Sequence, residues 1–391
     1  FWLKPFWLNS SALRNDGMAH NEYRAPCKRR AFKLFGVVIG LAVLKGADYS
    51  DCFGVVTRIH GRTTSEILRR TLLATPLSLI GPAAACAEPT VPSPEDLSLV
   101  KTAFELLSGD PKRPNAMAEL EKAEDAFGKV IGRAEKSSTA TRRDRAQLRM
   151  ARAQARITIN DITGGKLPEK AEAAVADYDE VIRLMEQDMS SVEKTYDYPS
   201  AFVSRGLAKE EIAFGRRSEV AWAEAVDDYT RAIDIWRARG VSEDGLGVNP
   251  MVLNYRGNAL SQLKRYSQAA LDYREATEIF SKDRELTQAA ISSCNEALAL
   301  IGSGDREEAL LILKRVAREK TFIADAHVAL AAAYWANGQY ELAEGKWQFA
   351  CEETSEGCGQ YKDLAWVQDI RRWPPVLIAD LRAFLTKKTT S

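Results

Sequence analysis

Three stretches of this chain carry one frame: a small residue, an alanine twelve positions later, and bulky residues set around it at helical spacing. In NYRGNALSQLKRYSQAALDYREATEIF the pair is Gly257 and Ala269, with Tyr266 just before the alanine and Tyr273 and Ala276 after it. CNEALALIGSGDREEALLILKRVARE repeats the frame with Ala297, Ala309, Leu313 and Val316, and LAAAYWANGQYELAEGKWQFA with Ala331, Tyr340, Ala343, Trp347 and Ala350. Two antiparallel helices joined by a tight turn approach closely where they cross, so each needs a small residue there, with bulky neighbours to fill the groove. Turn-forming residues fall between the two halves of the frame, as Gly302-Ser303-Gly304-Asp305 and Asn337-Gly338. Upstream, Ala174 and Ala225 begin good second helices, but their small partners Ala155 and Gly206 lie nineteen residues before them. The extra seven residues are expected in the turns, at GGKLPEK and GRRSEVAW. Ala123, Phe127 and Val130 mark a first, degenerate copy.

The alanines at 123, 174, 225, 269, 309 and 343 count six hairpins, spaced 51, 51, 44, 40 and 34 residues apart. This pattern resembles the tetratricopeptide repeat, closely over 249–352 and more loosely over 140–239. The resemblance implies an all-α, right-handed helical-hairpin solenoid over 88–361, with first helices lining its concave side, and a protein-binding role. After the repeats, WPPVLIADLRAFL opens with Trp373 and two prolines that suit a helix entry, and sets Leu377, Leu381, Phe384 and Leu385 on one face. A solenoid needs its last open face covered, so 362–391 is expected to be a C-terminal cap.

The formal charge is zero, yet residues 1–87 hold 12 Lys or Arg against 5 Asp or Glu, leaving 42 against 49 in the remainder. An acidic body argues against non-specific nucleic-acid binding, which depends on neutralising phosphates. The basic leader reads as an address in three parts. Residues 1–52 hold Lys28, Arg29, Arg30 and Lys33 before an apolar run from Leu34 to Leu44, too short to span a bilayer but suited to a secretory signal. Residues 53–68, headed by Phe53, resemble a transit peptide of an alga whose plastid has extra membranes. Residues 69–87 pair Arg69 and Arg70 with a mildly apolar run and end on Ala85 and Ala87 around Cys86, like a twin-arginine signal for the thylakoid lumen. The alternative for this last stretch is an amphipathic helix docked on the body. On the address reading the mature protein starts near 88, lies in the lumen and has no membrane span.

No phosphate-binding glycine loop, HExxH or GxSxG occurs beyond residue 87. His327 stands alone on a first helix and reads as a packing residue, and the acid pairs Asp227-Asp228, Glu307-Glu308 and Glu352-Glu353 read as a solvated face. No catalytic residue, metal or cofactor is expected. The aromatic set Tyr334, Trp335, Trp347, Phe349, Trp366 and Trp373 reads first as core and cap packing, second as a partner groove. Cys351 and Cys358 either form a disulfide pinning the last hairpin to the cap or stay a buried and an exposed thiol.

One polar feature is regular. RRDRAQLRMARAQARITIN places Arg145, Arg149, Arg152 and Arg156 at i, i+4, i+7 and i+11, a continuous stripe on a helix. Either Arg149, Arg152 and Arg156 line the concave face and receive a partner's acidic segment, or the stripe pairs with acids of a neighbouring hairpin. A second candidate partner surface is Asn254, Asn258 and Gln262; the first two are similar to asparagines of the repeat family's clamp for peptide carboxylates. The expected function is a non-catalytic protein-binding scaffold of the thylakoid lumen, aiding assembly or maintenance of a photosynthetic membrane complex. The alternatives are a co-chaperone-type adaptor outside the lumen, an enzyme with an unrecognised site and an RNA-binding helical repeat.

Overall fold

The computed structural model describes residues 94–109, 113–138, 140–188, 191–240, 247–320, 322–354 and 357–388. The targeting positions Arg69, Arg70, Ala85 and Ala87 lie outside them. The described residues are all helical, with no strand, and consecutive helices pack in pairs. Two compact units divide them, residues 94–164 with 183–188 and residues 165–182 with 191–388. The first unit holds α1 (Pro94–Leu107), α2 (Ala116–Lys136) and α3 (Arg142–Ile162), each packed on the next. α3 starts where it does because Thr141 makes a capping box: Asp144 N–H donates to Thr141 Oγ1 at 3.1 Å, and Thr141 N–H donates to Asp144 Oδ2 at 3.0 Å. α4 (Pro168–Asp188) has its first residues in the second unit.

The second unit continues with α5 (Ser191–Arg216), α6 (Glu219–Arg239), α7 (Pro250–Gln262), α8 (Tyr266–Lys282), α9 (Leu286–Ser303), α10 (Arg306–Glu319), α11 (Ala324–Ala336) and α12 (Tyr340–Glu352). A short 3-10 turn (Gly359–Lys362), α13 (Leu364–Asp369) and α14 (Pro375–Lys388) close the chain. From α5 to α12 every helix packs on its successor. All six alanines of the repeat frame are 0% exposed, as the crossing contacts require. The turns share one geometry. Lys264, Arg284, Gly304 and Gly338 are left-handed, and each next residue donates its N–H five residues back, at 2.8 to 2.9 Å, capping the open carbonyls of the preceding helix. Glycine takes that conformation freely at 304 and 338, where Lys264 and Arg284 must accept strain.

At GRRSEVAW the seven extra residues expected in the turn are in the helices instead. Between α5 and α6 only Arg217 and Ser218 remain, while those helices run to 26 and 21 residues. Seven residues are close to two helical turns, so sharing them between two helix ends leaves the crossing residues facing each other.

In the crossings themselves, an aromatic ring fills the space left by the small residue. A Cβ added to Gly257 would lie 2.8 Å from the Tyr273 ring, and one on Gly206 2.7 Å from Tyr229. α14 buries Leu377, Leu381 and Phe384 and packs on α11 and α9, with Phe384 meeting Trp335 and Trp347 edge-on. The closing helix therefore lies along the first helices of the last two pairs. No described helix is long and apolar enough to cross a membrane.

Candidate functional site

The arginine stripe of α3 is turned toward α2. Arg145 donates to Ala134 O at 3.2 Å and Ser137 O at 2.9 Å, closing the C-terminal end of α2, where a cation is favoured. Arg149, buried, pairs with Glu135, and Arg156 Nε donates to Glu124 Oε1 at 2.8 Å. The Arg152 guanidinium sits over Gly128, where an added Cβ would be 3.7 Å from Nη1. These contacts are those of the second reading, in which the stripe pairs with acids of a neighbouring hairpin. Four long side chains at helical spacing lie along the preceding helix and serve its carbonyls and acids.

The second expected set is built into the first helices of the larger unit. Asn254 Nδ2 donates to Ser292 Oγ at 2.9 Å, joining α7 to α9, and Asn258 Oδ1 accepts from the Tyr273 hydroxyl at 2.8 Å. Gln262, one turn on, is half-buried. Beside these runs a pairing that the sequence reading missed. Arg205 donates to both carboxylate oxygens of Asp228, at 3.0 and 2.5 Å, and Arg256 to both of Asp272, at 2.8 and 2.7 Å. Each arginine directly precedes the crossing glycine, and each aspartate directly precedes the tyrosine that covers it. The recurring dipeptides Arg-Gly and Asp-Tyr were the available signal. Asp228, expected in solvent, is only 3% exposed and also pairs with Lys209 at 2.9 Å. Burial raises Asp272 above its ordinary 3.8, although Arg256 pulls the other way.

Across the same face runs the short link 370–374 between α13 and α14, turned back on α13 by Arg371 N–H donating to Trp366 O at 3.2 Å and Trp373 N–H to Val367 O at 3.3 Å. Arg371 pairs with Asp325 at the start of α11, its Nε donating at 3.1 Å, and Trp373 Nε1 donates to the same oxygen at 3.2 Å. Arg372 points elsewhere, to Glu210 of α5 at 3.6 Å, with its guanidinium 5.9 Å from the centre of the Trp222 ring. The left-handed backbone at Arg372, φ 59°, separates these neighbouring side chains. Asp325 and Glu210 are 4% and 5% exposed, and Glu210 also accepts from the Tyr229 hydroxyl at 2.9 Å. Burial lowers Arg371 to about 10, so it remains charged at neutral pH. Burial and the Glu210 carboxylate hold Tyr229 well above its ordinary 10, and burial pushes Tyr255 up to about 12. Between segment and helices lies a cavity of about 10 Å³, the size of one water, walled by Asn258, Ser261, Asn295 and Arg372.

His327 is buried and stacks on Phe349, ring centres 4.4 Å apart. Cys351 and Cys358 are joined in a disulfide with their Cα atoms 4.4 Å apart, tying the end of α12 to the approach of the 3-10 turn. Tyr334, Trp347 and Trp373 are buried, and Trp366 meets Tyr361 edge-on. Compared with known proteins, the chain matches no family model, and no characterised protein is significantly similar to it in sequence.

Proposed function

We propose that the chain is a non-catalytic, tetratricopeptide-like solenoid that binds proteins in the thylakoid lumen and aids assembly or maintenance of a photosynthetic membrane complex. The observation that carries the binding role is the link 370–374 between α13 and α14, packed on the first helices of successive pairs. Its arginines are held by carboxylates from helices more than a hundred residues apart in sequence, Glu210 and Asp325. Buried carboxylates that successive helices offer to another piece of chain support the reading of this face as protein-binding. The compartment rests on the leader alone, on Arg69 and Arg70 before the Ala85 and Ala87 cleavage pattern. Affinity purification of the tagged protein from thylakoids, with chemical crosslinking and mass spectrometry, tests both parts. Crosslinks to lumenal segments of complex subunits are expected. Recovery of the protein in the cytosol would remove the location, and recovery without any crosslinked protein would remove the scaffold role.

A further inference from the structure

We propose that Cys351 and Cys358 form a thiol–disulfide switch, which fastens residues 358–374 as a strap when oxidised and releases them when reduced. The switch does not depend on the scaffold reading. Its input is one bond. Gly357, left-handed at φ 66°, turns the chain back so that Cys358 meets Cys351 at the end of α12. The two cysteines differ in access, since Cys351 is half-buried and Cys358 only 7% exposed. Attack by the thiolate of a dithiol reductant therefore falls on Cys351 Sγ. The bond between the cysteines breaks, and Cys358 leaves as a thiolate that takes a proton from water. The second thiol of the reductant, losing its proton, then displaces Cys351, which is protonated in turn. Two electrons have passed from the dithiol, now a disulfide, to the two cysteines, now thiols. A disulfide oxidant reverses the steps.

The strap is built to respond. Its helix α13 has six residues, too few to be stable by itself, and the 3-10 turn before it has four. Its order therefore rests on its two ends and on Tyr361, Val367 and Trp373, which it buries. Tyr361, three residues beyond Cys358, meets Trp366 and Trp373 with ring centres 5.3 and 5.9 Å apart. The end fastened by the disulfide thus touches the residue beside Arg372, and Trp373 shares Asp325 with Arg371. Both anchors stand without the bond. α12 is held by Ala343, Trp347 and Ala350, and α14 by Leu377, Leu381 and Phe384 and by Arg306 pairing with Asp380 at 2.7 Å. Reduction loosens what lies between them, and with it the hold of Arg371 on Asp325 of α11 and of Arg372 on Glu210 of α5.

The test compares the full chain, oxidised and after reduction by dithiothreitol, by hydrogen–deuterium exchange. Losing a closure of this kind favours the open strap by more than about tenfold. Amides of 358–374 should therefore exchange at least about tenfold faster after reduction, with those of α11 and α14 unchanged, and reoxidation should restore the protection. Unchanged exchange in the strap, or equal acceleration in α14, would overturn the switch. Cys351→Ser/Cys358→Ser should reproduce the reduced pattern without reductant; if that variant loses helix content, the dithiothreitol-treated wild type decides by the same criterion. Treating the native protein with glutathione and then iodoacetamide, read by peptide mass spectrometry, tests the route. Glutathione is expected on Cys351 and the alkyl group on Cys358, with Cys294, 2% exposed, untouched. No reaction without denaturant, glutathione on Cys358, or modification of Cys294 would each overturn the proposal, the last because release has then opened the core.

Discussion

Gly257→Ala tests the packing that defines the repeat. The added Cβ would lie 2.8, 2.9 and 3.1 Å from three carbons of the Tyr273 ring. Carbon atoms pack best near 3.5 Å, so the ring must retreat by roughly 0.7 Å. It is not free to do so, because its hydroxyl donates to Asn258 Oδ1 at 2.8 Å and lies 3.5 Å from Ser261 Oγ, all in the interior. Overpacking a filled core costs about 1–3 kcal/mol. Losing the buried hydrogen bond adds about 1–3 kcal/mol. Against these stands a gain of about 1 kcal/mol from alanine's better helix propensity. The expected net effect is a destabilisation of about 1–5 kcal/mol. Gly345→Ala is the control, since that glycine is inside α12, exposed, and has nothing within 4 Å of an added Cβ. It should gain about 1 kcal/mol from propensity alone. Urea denaturation followed by circular dichroism at the helix band compares the two. In a Tyr273→Ala background the Gly257→Ala penalty should vanish, because residues in contact are not additive. A Gly257→Ala midpoint at or above that of Gly345→Ala would refute the close crossing.

Replacing Arg149, Arg152 and Arg156 together by glutamine should lower the stability of the smaller unit by about 1–3 kcal/mol through lost charged hydrogen bonds, without changing which proteins crosslink. Unchanged stability with lost crosslinks would return the stripe to a partner surface. Cys351→Ser/Cys358→Ser opens a loop of seven-residue separation, which costs about 2.5 kcal/mol on the chain-entropy estimate; a urea midpoint equal to that of the wild type would refute it. Burial raises Glu296 above its ordinary 4.5 while Arg274 pulls it down. Because the folded state holds this proton more tightly than the unfolded chain, its contribution is present below about pH 4.5 and lost as pH rises through the raised value. The stability of wild type relative to Glu296→Gln should therefore improve as pH falls from 7 toward 4.5, and the opposite slope in urea titrations would contradict the shift.

Much of the helical plan is legible in the residues, because helix crossing and turn geometry are local demands. An alanine or glycine must stand at a close crossing whatever surrounds it, and Ala123, Ala174, Ala225, Ala269, Ala309 and Ala343 are accordingly all fully buried. The same holds for Gly304 and Gly338, whose left-handed turns are written in the chain, and for the Leu377, Leu381 and Phe384 face of α14. What a polar side chain meets is not local. Arg145, Arg149, Arg152 and Arg156 have the spacing of a solvated row or a partner groove, and only the placement of α2 sends them to its carbonyls and to Glu135 and Glu124. Asp228 looks like one of two exposed acids until α5 brings Arg205 and Lys209 to it. Arg371 and Arg372 form one of several arginine pairs in the chain, and nothing nearby marks them as different. Tertiary structure gave them Asp325 and Glu210, since burial decides the state of a charge and is known only when distant helices have packed around it.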